Sequence, residues 1–67
     1  MEWMPVKSSL IEAVRYDDEV KRLDVHFMNG EVRYFGVVPA KVVKELVAAK
    51  SPGRFYMDEI RRVYPRL

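Results

Sequence analysis

The sequence contains no cysteine. Disulfide bonds, thiolate metal ligands and cysteine nucleophiles are therefore excluded. Small secreted domains usually depend on disulfides, so this absence favours a reducing compartment, and we expect a cytoplasmic protein. The chain also has a single histidine, His26, which leaves too few nitrogen and sulfur ligands for a zinc site.

Long apolar runs are missing as well. No segment approaches the ~18 residues that a membrane-spanning helix requires. The first five residues lack the basic-then-apolar order of a signal peptide. The length of 67 residues predicts one domain, covering residues 1–67. The core of a domain this small supplies only about 3–5 kcal/mol of net stability, so self-association is one available source of support.

Side chains suited to catalysis are scarce. The three serines and three glycines form neither a nucleophile-elbow pattern nor a phosphate-binding loop. The acidic run Asp17-Asp18-Glu19 could attract a hard cation, but acids clustered in a turn are ordinarily solvated. We therefore expect a protein that is not an enzyme and that has no metal or cofactor.

Charge is distributed unevenly along the chain. Residues 1–40 contain five basic and seven acidic side chains, whereas residues 41–67 contain seven basic and three acidic ones. The basic residues of the second part are Lys41, Lys44, Lys50, Arg54, Arg61, Arg62 and Arg66. They can be read as solvated helix faces or as a surface that faces an anionic partner.

Three segments of the first half favour β-strands. Residues 9–16 are rich in apolar residues. In residues 22–28, apolar and polar side chains alternate with a period of two, as in a half-buried strand. Asn29-Gly30 then predicts a two-residue type I′ turn, after which residues 31–38 return antiparallel. This hairpin is the clearest local pattern in the chain.

A two-residue turn at Asn29-Gly30 fixes which residues face each other. Phe27 then lies opposite Val32, and Val25 opposite Tyr34. The face assigned to the core carries Leu23, Val25, Phe27, Val32 and Tyr34, with Val14 and Tyr16 of the preceding strand. The outer face carries Asp24, His26, Met28, Arg33 and Phe35.

The second half favours two short helices. Pro39 suits a first helical position, and an apolar stripe follows it through Val42, Val43, Leu46, Val47 and Ala49. Ser51-Pro52 predicts the start of a second helix that Tyr64-Pro65 ends, with Phe55, Tyr56, Ile60 and Val63 on its inner side. The predicted fold is thus α+β: a three-stranded antiparallel meander followed by two short helices on one face.

The outer face suggests one recognition surface. His26 there is most simply an exposed polar residue. Alternatively, Phe35, Arg33, His26 and Met28 could stack against unpaired bases. Trp3 is expected to cover one end of the core, with a binding role as the alternative.

The order of several short motifs resembles the KTSC domain, a family named after the C-terminal extension of some lysyl-tRNA synthetases. The similar segments are Ser8-Ser9, Tyr16-Asp17, Phe27-Met28-Asn29-Gly30, Val38-Pro39, Ser51-Pro52-Gly53-Arg54-Phe55-Tyr56, Ile60-Arg61 and Tyr64-Pro65. The family's Tyr-x-Tyr before Val-Pro is not kept. Arg33 and Phe35 stand at those positions in a gapless alignment, and Val32 and Tyr34 stand there after a one-residue insertion.

The resemblance implies a domain that occurs alone in bacteria and phages or fused to a tRNA-charging enzyme. No activity is established for the family, and RNA binding is the role proposed for it. We therefore expect a non-catalytic module that binds RNA or single-stranded nucleic acid. The candidate residues are Arg33, Phe35, Arg54, Arg61 and Arg62. The alternative is a protein-interaction module, acting through strand-edge pairing or as a homodimer.

Overall fold

The computed structural model describes residues 2–67 as four strands followed by two helices. They are β1 (Met4–Pro5), β2 (Ile11–Asp17), β3 (Arg22–Phe27), β4 (Val32–Phe35), α1 (Ala40–Ala48) and α2 (Pro52–Glu59). The strands form one antiparallel sheet in the order β1-β2-β3-β4. The expected antiparallel sheet with two following helices is confirmed, but the sheet has four strands, not three. The additional strand β1 is two residues long and includes a proline, so it carries no alternating pattern that sequence inspection could detect.

The hairpin between β3 and β4 has a longer loop than predicted. Phe27 N donates to Glu31 O at 2.8 Å and Gly30 N donates to Phe27 O at 2.9 Å, which leaves residues 28–30 as a three-residue loop. Gly30 alone in this loop has a positive φ, of 91°, as in a type I turn closed by a glycine bulge. The prediction of a type I′ turn at Asn29-Gly30 was therefore wrong.

The longer loop shifts the pairing by one residue. Leu23 lies opposite Phe35 and Val25 opposite Arg33. Because side chains alternate with a period of two, this shift exchanges the two faces of β4. Phe35 is completely buried, whereas Tyr34 is 38% exposed. The predicted inner position of Val32 and Tyr34, and the predicted outer position of Arg33 and Phe35, were wrong.

The core lies between the inner face of the sheet and the two helices. Leu23, Val25 and Phe27 are buried in it, as predicted. The fully buried members contributed by β2 and the helices are Ile11, Val14, Leu46 and Tyr56, and Ile60, directly after α2, is fully buried with them. Between Ile11 and Ala13 the pairing of β2 with β3 is irregular, and this bulge allows Ile11 and Val14 to face inward despite their odd spacing.

The helices begin close to where the sequence predicts. Pro39 precedes α1 as its N-cap instead of serving as its first residue, and Ser51 precedes α2, with Pro52 in its first turn. Helix α2 ends at Glu59 instead of near Tyr64, and turns continue the chain through residues 60–63. Ile60 leaves the helical conformation, with φ −120°, yet stays buried in the core. Val63, predicted to lie inside, is 59% exposed.

The chain itself occupies the outer edge of β4. Gly36 N donates to Pro65 O, and Leu67 N donates to Tyr34 O, each at 2.9 Å. Phe35 and Arg66 form an antiparallel bridge between the two segments. This edge is thus paired within the domain and offers few free backbone groups to a partner strand.

Candidate functional site

The outer face of the sheet differs from the predicted stacking surface. Phe35 is absent from it, and Asp24 is fully buried there. The Asp24 carboxylate accepts hydrogen bonds from Arg15 Nε at 2.6 Å and from Arg22 Nη2 at 3.2 Å. Two arginines above one carboxylate form a polar layer that covers the centre of this face.

Aromatic rings flank that layer. Trp3 packs against His26, with ring centroids 5.7 Å apart, and the guanidinium carbon of Arg15 lies 4.4 Å from the Trp3 ring centroid. Arg22 lies over Tyr34 at 5.8 Å. Trp3 therefore packs on the outer sheet face and is not grouped with the core. Arginines of the domain already contact the Trp3 and Tyr34 rings, which makes this face a poor platform for bases.

A groove on the opposite side is formed by the β3–β4 loop, the start of β2 and the C-terminal half of α2. We call it the first groove, and its volume is about 370 Å³. Its polar lining residues are Ser9, Asn29, Glu31, Arg33 and Arg61. Its apolar lining residues are Leu10, Phe27, Met28, Tyr56 and Met57.

A second groove adjoins the first and shares Ser9, Leu10 and Met57 with it. Its volume is about 550 Å³. It extends past the beginning of α2, where Lys7, Lys50 and Arg54 lie on its lining together with Asp58. We call the two grooves together the α2 surface.

Local geometry brings the distant segments of the α2 surface together. Ser8 Oγ accepts hydrogen bonds from Leu10 N at 3.0 Å and Ile11 N at 3.1 Å, which shapes the chain entering β2. Gly53 of α2 lies against this turn: a Cβ added to Gly53 would lie 3.1 Å from Ser8 Oγ and 3.2 Å from Leu10 Cβ. A glycine at position 53 is what allows α2 to approach the start of β2 so closely.

The α2 surface is basic. It contains five cationic side chains, Lys7, Arg33, Lys50, Arg54 and Arg61, and two carboxylates, Glu31 and Asp58. The acids neutralise their neighbours weakly, because Arg33 Nη2 is 3.4 Å from Glu31 Oε2 and Arg54 Nε is 3.8 Å from Asp58 Oδ2. Arg61 contacts Met57 Sδ at 3.7 Å and takes part in none of the ion pairs of residues 2–67.

The structure brings together some of the predicted site residues. Arg33 and Arg61 line the first groove and Arg54 lines the second. Arg62 is exposed but lines neither groove. Phe35 is in the core, where its ring packs 5.8 Å from that of Tyr56, so it has no surface on which a base could stack.

Sequence inspection missed several residues of the α2 surface. Lys7 belongs to the acidic half of the chain, and Asn29 was interpreted only as a turn residue. Ser9 lies in one of the motif segments that suggested the family, and Ser51-Pro52-Gly53 is another. These two segments lie together at the second groove. Their small residues, mostly serine and glycine, could have indicated that they approach each other closely.

The acidic turn between β2 and β3 is held by the chain itself. Asp17 Oδ1 accepts a hydrogen bond from Glu19 N at 3.0 Å. Asp18 accepts one from Lys21 Nζ at 3.2 Å, and this hydrogen bond raises the pKa of Lys21. In the part of the chain from residue 2 to residue 67, no three carboxylate or imidazole groups are arranged to hold a metal ion. Within the same residues, neither helix has the length and apolarity to cross a membrane.

Known proteins resemble this chain in sequence and in structure. It is 43% identical over 51 residues to a protein of Tsukamurella paurometabola, covering 76% of each chain. It is 34% identical over 56 residues to an uncharacterised protein of Stutzerimonas stutzeri, covering 84% of this chain and 79% of the relative. The crystal structure of a KTSC domain protein from Yersinia pestis superimposes with a TM-score of 0.93 at 26% identity, covering 98% of this chain and 93% of that one.

The two alignments of the family's Tyr-x-Tyr fall on opposite faces of β4. In the gapless alignment, Arg33 and Phe35 lie on the inner face, and Phe35 is part of the core. The predicted position of these two residues on the outer face was wrong, because the hairpin pairing is shifted by one residue. A profile of the KTSC domain matches residues 7–64. Together with the relatives and the shared fold, this match establishes that the chain belongs to the KTSC domain family.

Proposed function

We propose that this domain is a non-catalytic binding module for RNA or another single-stranded nucleic acid, and that the α2 surface is its contact surface. One observation carries the proposal. Five cations from three separate parts of the chain converge on two adjoining grooves that contain only two carboxylates. Lys7 precedes β2, Arg33 is in β4, and the others lie in or beside α2.

The shape and composition of the α2 surface support a single strand as the partner. A phosphate backbone needs a row of cations, and guanidinium groups bind phosphate in a bidentate manner. Unpaired bases need apolar or flat surfaces, which Leu10 and Met57 offer, being 38% and 42% exposed. These two residues line both grooves, so apolar contact area lies between the cations of the first groove and those of the second.

Measuring affinity as a function of salt concentration tests the proposal. Binding of short fluorescent single strands is followed by anisotropy at several salt concentrations. If about four phosphates are neutralised, the log–log salt slope should be roughly −3. Affinity no better than roughly millimolar at low salt would overturn the proposal.

Adjacent arginines provide a matched control. Arg61 lines the first groove, whereas Arg62 is exposed beside it and lines neither groove. Arg61→Gln should reduce the magnitude of the salt slope by roughly 0.7, and Arg62→Gln should leave it nearly unchanged. Equal effects of the two substitutions would mean that net charge, and not the α2 surface, determines binding.

A protein-interaction module through strand pairing has less support. The C-terminal segment already pairs with the outer edge of β4, and β1 contributes only two residues to the opposite edge. Light scattering at two concentrations tests the homodimer alternative. A stable dimer that binds no single strand would favour that alternative over nucleic-acid binding. A cytoplasmic location remains a prediction that fits either partner.

A further inference from the structure

The hydroxyl group of Tyr56 lacks a hydrogen-bond partner. The Tyr56 side chain is 1% exposed, and its ring packs edge-on against Phe27, with centroids 5.2 Å apart. Its hydroxyl oxygen is buried and makes no hydrogen bond with any of residues 2–67. Tyr16 shows the ordinary arrangement, because its hydroxyl donates to Val38 O at 2.5 Å. Buried hydroxyls without a partner are rare, because their desolvation is not compensated.

Tyr56 also lines the first groove, so a ligand in that groove is a candidate for the missing partner, and it reaches the occluded hydroxyl when the groove lining shifts. The groove volume of about 370 Å³ lies within the range of small-molecule sites. One wall contains the planar guanidinium group of Arg33, whose Cζ lies 5.3 Å from the centroid of the buried Phe27 ring. A flat heterocycle would match this wall, and a tyrosine hydroxyl can either donate to or accept from its edge.

We propose that the first groove binds one unpaired nucleobase of the strand, with the Tyr56 hydroxyl hydrogen-bonded to the base edge. This inference rests on the function proposed above for the α2 surface. The carboxylate of Glu31 lies on the same groove and can only accept hydrogen bonds when ionised. It therefore favours a base that offers an exocyclic amino group, such as adenine or cytosine, over uracil, whose only edge donor is an N3–H group between two carbonyl oxygens.

Homopolymers and two conservative variants test the inference. Labelled oligo(A), oligo(C) and oligo(U) are titrated into the wild type, Tyr56→Phe and Glu31→Gln. Tyr34→Phe is the matched control, because Tyr34 is on the outer face of the sheet and 38% exposed. We expect the wild type to bind oligo(A) or oligo(C) about tenfold more tightly than oligo(U), as one or two hydrogen bonds provide. Because the Tyr56 hydroxyl can pair with any base edge, Tyr56→Phe should weaken binding of every homopolymer about fivefold, whereas Tyr34→Phe should not. Glu31→Gln should reduce the preference below about threefold.

The outcomes separate the inference from the proposed function. Equal binding of all three homopolymers with a normal salt slope would overturn the inference and leave the proposed function intact, as would an unchanged affinity in Tyr56→Phe. Absence of binding to every strand would overturn both. If Tyr56→Phe does not fold, Glu31→Gln tests the inference instead. Glu31 is exposed, so this substitution should leave the fold intact, and the variant should lose the preference for amino-bearing bases.

Discussion

Asp24 is predicted to be the most sensitive charged position in the domain. Its carboxylate is fully buried between Arg15, at 2.6 Å, and Arg22, whose Nε lies 3.0 Å from Oδ1. Removing one member of a buried ion pair costs about 3–5 kcal/mol. The arginine side chains are 29% and 37% exposed, so water can partly compensate them. We therefore expect Asp24→Asn to cost about 2–3 kcal/mol, which is a large part of the roughly 3–5 kcal/mol available to a domain of this size.

Asp58→Asn is the matched control, because it makes the same chemical change in an exposed pair. Asp58 and its partner Arg54 are 63% and 83% exposed, and their closest charged atoms are 3.8 Å apart. Such a pair contributes about 0.3–0.5 kcal/mol. Thermal unfolding followed by circular dichroism should give a Tm lowered by roughly 15 °C for Asp24→Asn and by less than about 3 °C for Asp58→Asn. Equal shifts in Tm would refute the claim that the buried carboxylate holds the outer face together.

Three further substitutions and one deletion test other parts of the fold. Val37 is a β-branched residue at φ 59° and is 70% exposed, so Val37→Asn should raise the free energy of unfolding by about 1 kcal/mol. Gly30→Ala, at φ 91°, should lower the free energy of unfolding by about the same amount. Urea unfolding measures both changes, and a Gly30→Ala variant as stable as the wild type would contradict the loop geometry. Tyr16→Phe leaves the carbonyl of Val38 without its donor and should lower the unfolding free energy by about 1–2 kcal/mol, so an unchanged midpoint would exclude this bond as a stabilising contact. Deleting residues 65–67 removes both backbone hydrogen bonds that cover the edge of β4 and should promote self-association, detectable by light scattering; a monomeric product would show that the edge does not need this cover.

The sequence predicted the order of the main elements but not the faces of β4. Asn29-Gly30 identified the turn correctly, yet a two-residue and a three-residue loop are both compatible with this dipeptide. The difference of one residue exchanged Tyr34 with Phe35. Burial of Asp24 was not predicted, because a period of two assigns an acid to solvent. Arg22, two residues before it, and Arg15, opposite it on the paired strand, could have indicated an ion cluster.

The candidate site could be predicted only in part. The basic C-terminal region suggested Arg54 and Arg61 as candidates, and in the structure they line the two adjoining grooves. The contribution of Lys7 depends on how closely α2 approaches the start of β2, which is a tertiary contact that Gly53 permits. The unpaired hydroxyl of Tyr56 depends on the packing of the whole core and has no signature in the sequence.

Backbone amide chemical-shift mapping of the labelled domain with a short single strand tests the proposed contact surface most directly. We predict that the largest shifts occur along the α2 surface, at Ser9, Leu10, Arg54, Met57 and Arg61. Shifts confined to the outer sheet face, around Trp3 and Tyr34, or no shifts at any strand concentration, would contradict the account.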